Sequence, residues 1–194
     1  MDNFSDTELI ALCKTGSEKA FTVLYQRYRQ TVINFAYQML GDSDLASHVL
    51  QDTFVYVFRK IAEYQPTAKF STFLFTVVRH ICINILDKDK RRKEIPLEEW
   101  RNIIAVRDAP DPLDSLQKDE LNRFVKLELE RLPLLYREVI VLKIIQGLQY
   151  DEISEIIECP VGTVKSRLHN GLELLRNSLY DKVKNTDFRE RIHP

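Results

Sequence analysis

The chain has 194 residues, 44% hydrophobic and 29% charged, with a formal net charge of -1. This composition fits a soluble globular protein of one or two small domains and excludes disorder throughout. It also excludes coating of nucleic acid by bulk charge, so any DNA affinity must be local. Residues 1–93 carry 13 basic and 10 acidic side chains, residues 94–127 carry 5 and 8, and residues 128–194 carry 10 and 11, which puts the basic excess in the first half.

A short helix is predicted around Asp6 to Lys14. Ser17 before Glu18 opens a long one, in which Phe21, Leu24, Tyr25, Tyr28, Val32, Phe35, Ala36 and Met39 recur at helical spacing. After the Gly41-Asp42 break, Val49, Leu50, Phe54, Val57, Phe58 and Ile61 define a further helix that ends before Pro66. Another begins near Phe70, with Phe70, Phe73, Val77 and Ile81 as its apolar stripe, and runs into the cluster Lys88 to Lys93. Together these faces close a compact all-α domain.

In the stretch Tyr64 to Lys93, aromatic residues precede a strongly basic helix end. Aromatic rings stack on unpaired bases while Lys and Arg hold phosphates, a combination suited to single-stranded DNA. Burial competes for Phe70 and Phe73, which leaves Tyr64 as the better stacking candidate. Lys88, Lys90, Arg91, Arg92 and Lys93 form a cluster denser than helix-end capping requires. On the preceding helix, Gln51, Asp52 and Arg59 lie off the apolar stripe and read, from periodicity alone, as a solvated face.

From Glu94 to about Ser115 the periodicity fails among acidic residues and Pro96, Pro110 and Pro112, which reads as a flexible acidic linker. Helical pattern resumes at Leu116, continues past Pro133 to Ile145 and ends at Gly147. From Tyr150 to Leu172 two helices flank a tight turn. Ile153, Ile156 and Ile157 form one inward stripe; Val161, Val164, Leu168 and Leu172 form the other. Pro160 suits the first turn of the second helix.

At about 100° per residue, Lys165, Ser166, His169 and Asn170 turn to the side opposite that stripe, where a major groove can meet them. Thr163 and Gly162 sit in the first turn, where free N–H groups and the helix dipole favour a phosphate oxygen. Arg167 lies on the flank, better placed for phosphate than for a base edge. A helical hairpin with a merely solvated polar face has the same pattern. The polar tail, residues 183–194, is expected to fray.

Cys13, Cys82 and Cys159 are widely spaced, with no metal-ligand spacing, and read as reduced structural residues. No secretory leader pattern or membrane-spanning apolar run is apparent, so a cytoplasmic protein without membrane insertion is expected. No nucleophile–base or phosphate-cradling constellation appears, so neither an enzyme nor a cofactor is expected.

With these motifs in hand, the chain resembles an alternative sigma factor of the extracytoplasmic-function group in the sigma-70 family. Asp6 to Gly41 is similar to the family's first conserved segment. Leu50-Gln-Asp-Thr-Phe-Val-Tyr-Val-Phe58 resembles the helix that docks on the polymerase clamp helices, and Lys69-Phe-Ser-Thr-Phe-Leu-Phe75 the strand-opening segment. Leu132-Pro133, Tyr150-Asp-Glu-Ile and Cys159-Pro-Val-Gly-Thr-Val-Lys-Ser-Arg-Leu168 resemble the domain that reads the minus-thirty-five element.

The resemblance implies two small helical domains, residues 1–93 and 116–182, around a linker at 94–115, the second containing a helix-turn-helix. It implies core RNA polymerase, promoter DNA and an anti-sigma factor as partners. Gln51 and Asp52 become polymerase contacts; His80 and Asn84 fall near the flipped base of the minus-ten element, alongside Tyr64, Lys69, Lys88, Arg91 and Arg92. Three positions depart from the family pattern: His80 stands in place of asparagine, Phe73 of tryptophan, and Glu158 of a glycine frequent in the helix-turn-helix turn. A stand-alone helix-turn-helix regulator and a purely protein-binding helical adaptor are the competing readings.

Overall fold

A computed structural model describes residues 3–65, 68–93 and 125–185. Among these residues every regular element is helical: α1 (Asp6–Lys14), α2 (Glu18–Leu40), α3 (Ser43–Lys60), α4 (Phe70–Lys93), a helical segment at 125–131, α5 (Leu134–Ile140), a π turn (Val141–Ile145), α6 (Tyr150–Ile156) and α7 (Val161–Asn185). The expected linker, the start of the second helical region at 116–124 and most of the tail, 186–194, lie outside the described residues.

The helix boundaries follow local chemistry. Ser5 and Glu8 form a reciprocal capping box on α1, and the Ser17 hydroxyl accepts from the Ala20 amide at the start of α2. These bonds satisfy N–H groups that a first helical turn leaves unpaired. Gly41 ends α2 at φ 69°, where a side chain would be strained, and Asp42 at once caps α3 through the amides of Asp44 and Leu45. The sharp reversal lets α2 and α3 lie side by side.

Leu24, Val32, Phe35 and Met39 of α2 meet Val49, Phe54 and Val57 of α3 and Leu74, Phe75 and Val78 of α4 in one core. Each fully buried aliphatic or aromatic side chain contributes about 1.5–3 kcal/mol of transfer free energy. Two stripe expectations shift here. Phe58 is 60% exposed, with one edge of its ring on Phe21, because the buried face of α3 centres on Val49, Thr53, Phe54 and Val57. On α4 the buried line runs Phe70, Leu74, Val78 and Cys82, while Phe73 and Ile81 lie only half inside.

The second helical group differs from expectation at Pro133. The helix does not run through it: Leu132 bends, Pro133 is extended at ψ 138°, and α5 restarts at Leu134. Proline lacks the amide the helix needs and sterically disfavours helical geometry in the residue before it. Pro160 likewise sits one position earlier than expected, outside the first turn of α7, where its carbonyl accepts from the amides of Thr163 and Val164. Leu172 is 40% exposed rather than inward; Gly171 occupies the close crossing of α7 over α5.

The two groups pack on each other. Helix α6 lies against α4, and α5 reaches the end of α2. Arg137 donates to the Met39 carbonyl at 2.9 Å, to the Leu132 carbonyl at 3.1 Å and to the Glu130 carbonyl, tying the end of α2 to the second group. The ammonium of Lys126 sits 3.9 Å from the centre of the Tyr37 ring, a favourable cation–π placement. One stretch, Phe70–Lys88, is long and apolar enough to cross a membrane by composition, with mean hydropathy 1.3, contrary to the expectation that no run approaches that length. Its buried apolar side chains, Phe70, Leu74, Phe75, Val77, Val78 and Cys82, belong to a helix that packs on α2, α3 and α6 along one side, while Ile81, Ile83, Ile85 and Leu86 are half-buried.

Candidate nucleic-acid interface

The turn between α6 and α7 is built by backbone chemistry. The Ile157 amide bonds to the Ile153 carbonyl and the Cys159 amide to the Ser154 carbonyl at 3.1 Å, while the Ser154 hydroxyl donates to the Cys159 carbonyl at 2.6 Å. Between them Glu158 sits at φ 53°, the left-handed conformation glycine adopts without penalty. A non-glycine residue there costs on the order of 1 kcal/mol. The departure from glycine noted in the sequence thus falls on the one described non-glycine residue with positive φ.

Ile153, Ile156, Ile157, Val164 and Leu168 close the hairpin core. Burial of that side leaves Lys165, Ser166, His169 and Asn170 exposed together on the outer face of α7, as the spacing predicts. The Ser166 hydroxyl donates to the Thr163 carbonyl at 3.0 Å, and the Lys165 ammonium lies 5.4 Å from the Tyr150 ring centre. Thr163 is half-buried in the first turn beside exposed Gly162. Arg167 sits on the flank, as expected, with its guanidinium 3.5 Å from the Glu138 carboxylate.

On the first group, His80, Asn84 and Lys88 are exposed along α4 at four-residue steps, a continuous polar edge. Arg91 and Arg92 continue the helix backbone; their side chains lie outside the described residues. Tyr64 is less available for stacking than its sequence position implies. It is half-buried, its ring centre 4.7 Å from that of Phe73 and 6.2 Å from that of Phe70, and its hydroxyl donates to the Ala68 carbonyl at 3.3 Å. Burial and then the nearby Asp6 charge raise its phenol pKa. Phe70 and Phe73 therefore form a small aromatic platform with Tyr64, of which only Phe70 is fully buried.

Lys69 pairs with Glu152 at 2.9 Å. Burial opposes ionisation of Glu152, but the Gln149 amide and Lys69 outweigh it and hold the carboxyl below its usual range. The His80 imidazole lies 3.9 Å from Glu158, and Arg79, a residue with no role in the sequence reading, donates to Glu138 at 2.8 Å.

A separate surface occupies the outer side of α3. Gln51 and Asp52 are exposed there beside Val55, Tyr56 and Phe58, three large apolar side chains that the core does not cover. The sequence carries a signal for the first two: Val55 and Tyr56 fall off the buried stripe, where polar residues are the norm. Exposed apolar Ile144 and Ile145 lie on the π turn.

Among the described residues no three His, Cys, Asp or Glu side chains are grouped to hold a metal. Cys13 and Cys82 are buried and Cys159 half-buried, all as free thiols; burial pushes Cys82 up to about 12 and so keeps it protonated.

Two family models match the chain: Sigma-70 region 2 over residues 24–92 and Sigma-70, region 4 over residues 125–175. Among relatives, the ECF RNA polymerase sigma factor SigW of Bacillus subtilis is 33% identical over 87% of this chain and 93% of its own length. The ECF RNA polymerase sigma-E factor of Haemophilus influenzae is 29% identical, covering 92% of this chain and 97% of its own. The fold matches CnrH, solved with the cytosolic domain of CnrY, at TM-score 0.68 and 24% identity over 91% of this chain and 97% of that one. It matches the sigma factor RpoE of Bartonella quintana, solved with the anti-sigma factor NepR, at TM-score 0.69 and 24% identity over 84% and 98%. The chain is an alternative sigma factor and belongs to the extracytoplasmic-function group of the sigma-70 family.

Proposed function

We propose that this chain brings core RNA polymerase to its promoters through two separate DNA contacts. The first domain, residues 1–93, captures and helps to melt the minus-ten element along Lys69, His80, Asn84, Lys88, Arg91 and Arg92, with Tyr64 at the margin of an aromatic platform. The second, residues 116–182, sets α7 into the major groove at minus-thirty-five. There Lys165, Ser166 and His169 face the bases, and Thr163 and Arg167 face phosphates. Gln51 and Asp52, joined by Val55, Tyr56 and Phe58, meet the polymerase. The chain acts in the cytoplasm, with no catalytic site or cofactor of its own, and an anti-sigma protein is its regulatory partner, by analogy with the RpoE complex.

The observation that carries this reading is the two-sided character of α7: Val164 and Leu168 buried on one side, Lys165, Ser166, His169 and Asn170 exposed together on the other. Transcripts started by holoenzyme reconstituted from purified core polymerase test it. Lys165→Ala and His169→Ala should weaken promoter selection, each by about 1–3 kcal/mol where the base contact is direct. Unchanged transcription from a cognate promoter by both variants refutes the helix assignment. A gel shift with and without core polymerase separates this function from that of a stand-alone regulator, which would bind duplex DNA alone.

A further inference from the structure

Basic side chains assigned to DNA are paired with carboxylates of the opposite domain. Lys69 meets Glu152 at 2.9 Å and His80 faces Glu158 at 3.9 Å. Between them Glu138 is shared: one oxygen accepts from Arg79 of α4 at 2.8 Å, the other lies 3.5 Å from Arg167 of α7. The Glu138 side chain is 4% exposed and that of Arg79 15%.

Every one of these cross-domain pairs has its base on the first domain and its acid on the second. We propose that the free protein rests closed on itself, with Glu138, Glu152 and Glu158 occupying the basic groups of the minus-ten face as phosphates would, and Glu138 also engaging Arg167. Glu138 is the latch, because among the described residues it is the acid that engages a basic residue of both α4 and α7. Binding to promoter and polymerase must exchange these carboxylates for phosphates before both faces are available. The masking role rests on the function proposed above; the closed contact stands on the geometry alone.

Amide hydrogen exchange and solution scattering on the full-length chain test the latch from both sides, with Glu138→Gln and Arg79→Gln. Glu138→Gln leaves Arg79 without its carboxylate, and Arg79→Gln leaves Glu138 to Arg167 of its own domain, so each loses the cross-domain ion pair and favours opening. Peptides from α4 and α6 should exchange about tenfold faster in both variants, the radius of gyration should rise, and the α2–α3 core should keep wild-type protection. A fluorescein-labelled dT20 oligonucleotide should bind Glu138→Gln about tenfold more tightly than wild type, since a masking charge is gone. Wild-type exchange, dimensions and dT20 affinity in the variants overturn the proposal. So does loosening confined to α5 and α7 in Glu138→Gln with none in Arg79→Gln, which would make Glu138 a support of the second domain only. Wild-type holoenzyme transcription, run alongside, separates the two ideas: transcripts with no opening refute the latch, and opening without transcripts refutes the functional reading and its masking.

Discussion

Two glycines on α7 should answer the same substitution with opposite signs. Gly162 lies in the first turn of α7 with no neighbouring atom within 4 Å of an added Cβ. Gly171 lies two turns further on, where an added Cβ would meet Tyr136 Cβ and Ile140 Cδ1 at 3.0 Å each. Alanine in place of a helical glycine contributes roughly 0.5–1 kcal/mol through backbone entropy, and Gly162→Ala should gain most of it. At Gly171 the same gain opposes overpacking, which costs about 1–3 kcal/mol when the neighbours cannot give. The Ile140 methyl can rotate away. Tyr136 Cβ is fixed to the backbone of α5, so the two helices must separate by a few tenths of an ångström.

Gly171→Ala is therefore expected to be net destabilising by up to about 2 kcal/mol. For a chain of this size 1 kcal/mol moves the midpoint by about 2–4 °C. Scanning calorimetry should show Gly162→Ala melting a degree or more above wild type and Gly171→Ala several degrees below it. An equal rise for both variants would sink the argument that Gly171 sets the α5–α7 crossing. The crossing also aims α7, so Gly171→Ala should weaken promoter selection although it touches no base.

Glu130 is buried at the junction with Gly41, and desolvation raises its carboxyl pKa against the pull of Lys126 and Arg137. A raised folded pKa means that its contribution to stability is greatest below the unfolded value and declines as pH rises through the folded one. Glu130→Gln should thus be more stable than wild type near neutrality, and the gain should vanish toward about pH 4; urea midpoints at the two pH values measure it, and a pH-independent difference counts against the cause assigned. Glu158→Gly removes left-handed strain and should stabilise by roughly 0.5–1 kcal/mol, read as a higher denaturant midpoint with an unchanged slope. Tyr56→Ala leaves the core of α3 intact yet removes an exposed aromatic of the kind that dominates interface energies. Its affinity for core polymerase, measured by competition, should fall about tenfold or more with no change in melting temperature.

Local rules were legible along most of the chain. Ser17, Gly41 and Asp42 mark helix ends because caps and left-handed turns depend on side chains within three residues of the bond they make. The outer face of α7 could be named in advance for a similar reason: a period of 3.6 places Lys165, Ser166 and His169 opposite Val164 and Leu168 whatever α7 packs on. Periodicity was less informative where a helix is covered from two directions. On α4, enclosed by both helical groups, it placed the stripe at Phe73 and Ile81 instead of Leu74 and Cys82. At Leu172 it misses the uneven partner surface, where α7 crosses α5 so closely at Gly171 that an added Cβ would lie 3.0 Å from Tyr136 and Ile140.

The family, the helical class and the exposed polar face of α7 thus follow from order along the chain, because caps, turns and helical faces are short-range. The pairing of Arg79 with Glu138 and of Arg137 with the Met39 carbonyl joins residues 59 and 98 positions apart. No local pattern carries such contacts; they exist only once α5 is docked against α2 and α4, when burial of charge leaves each group to find a partner or bear the cost of desolvation.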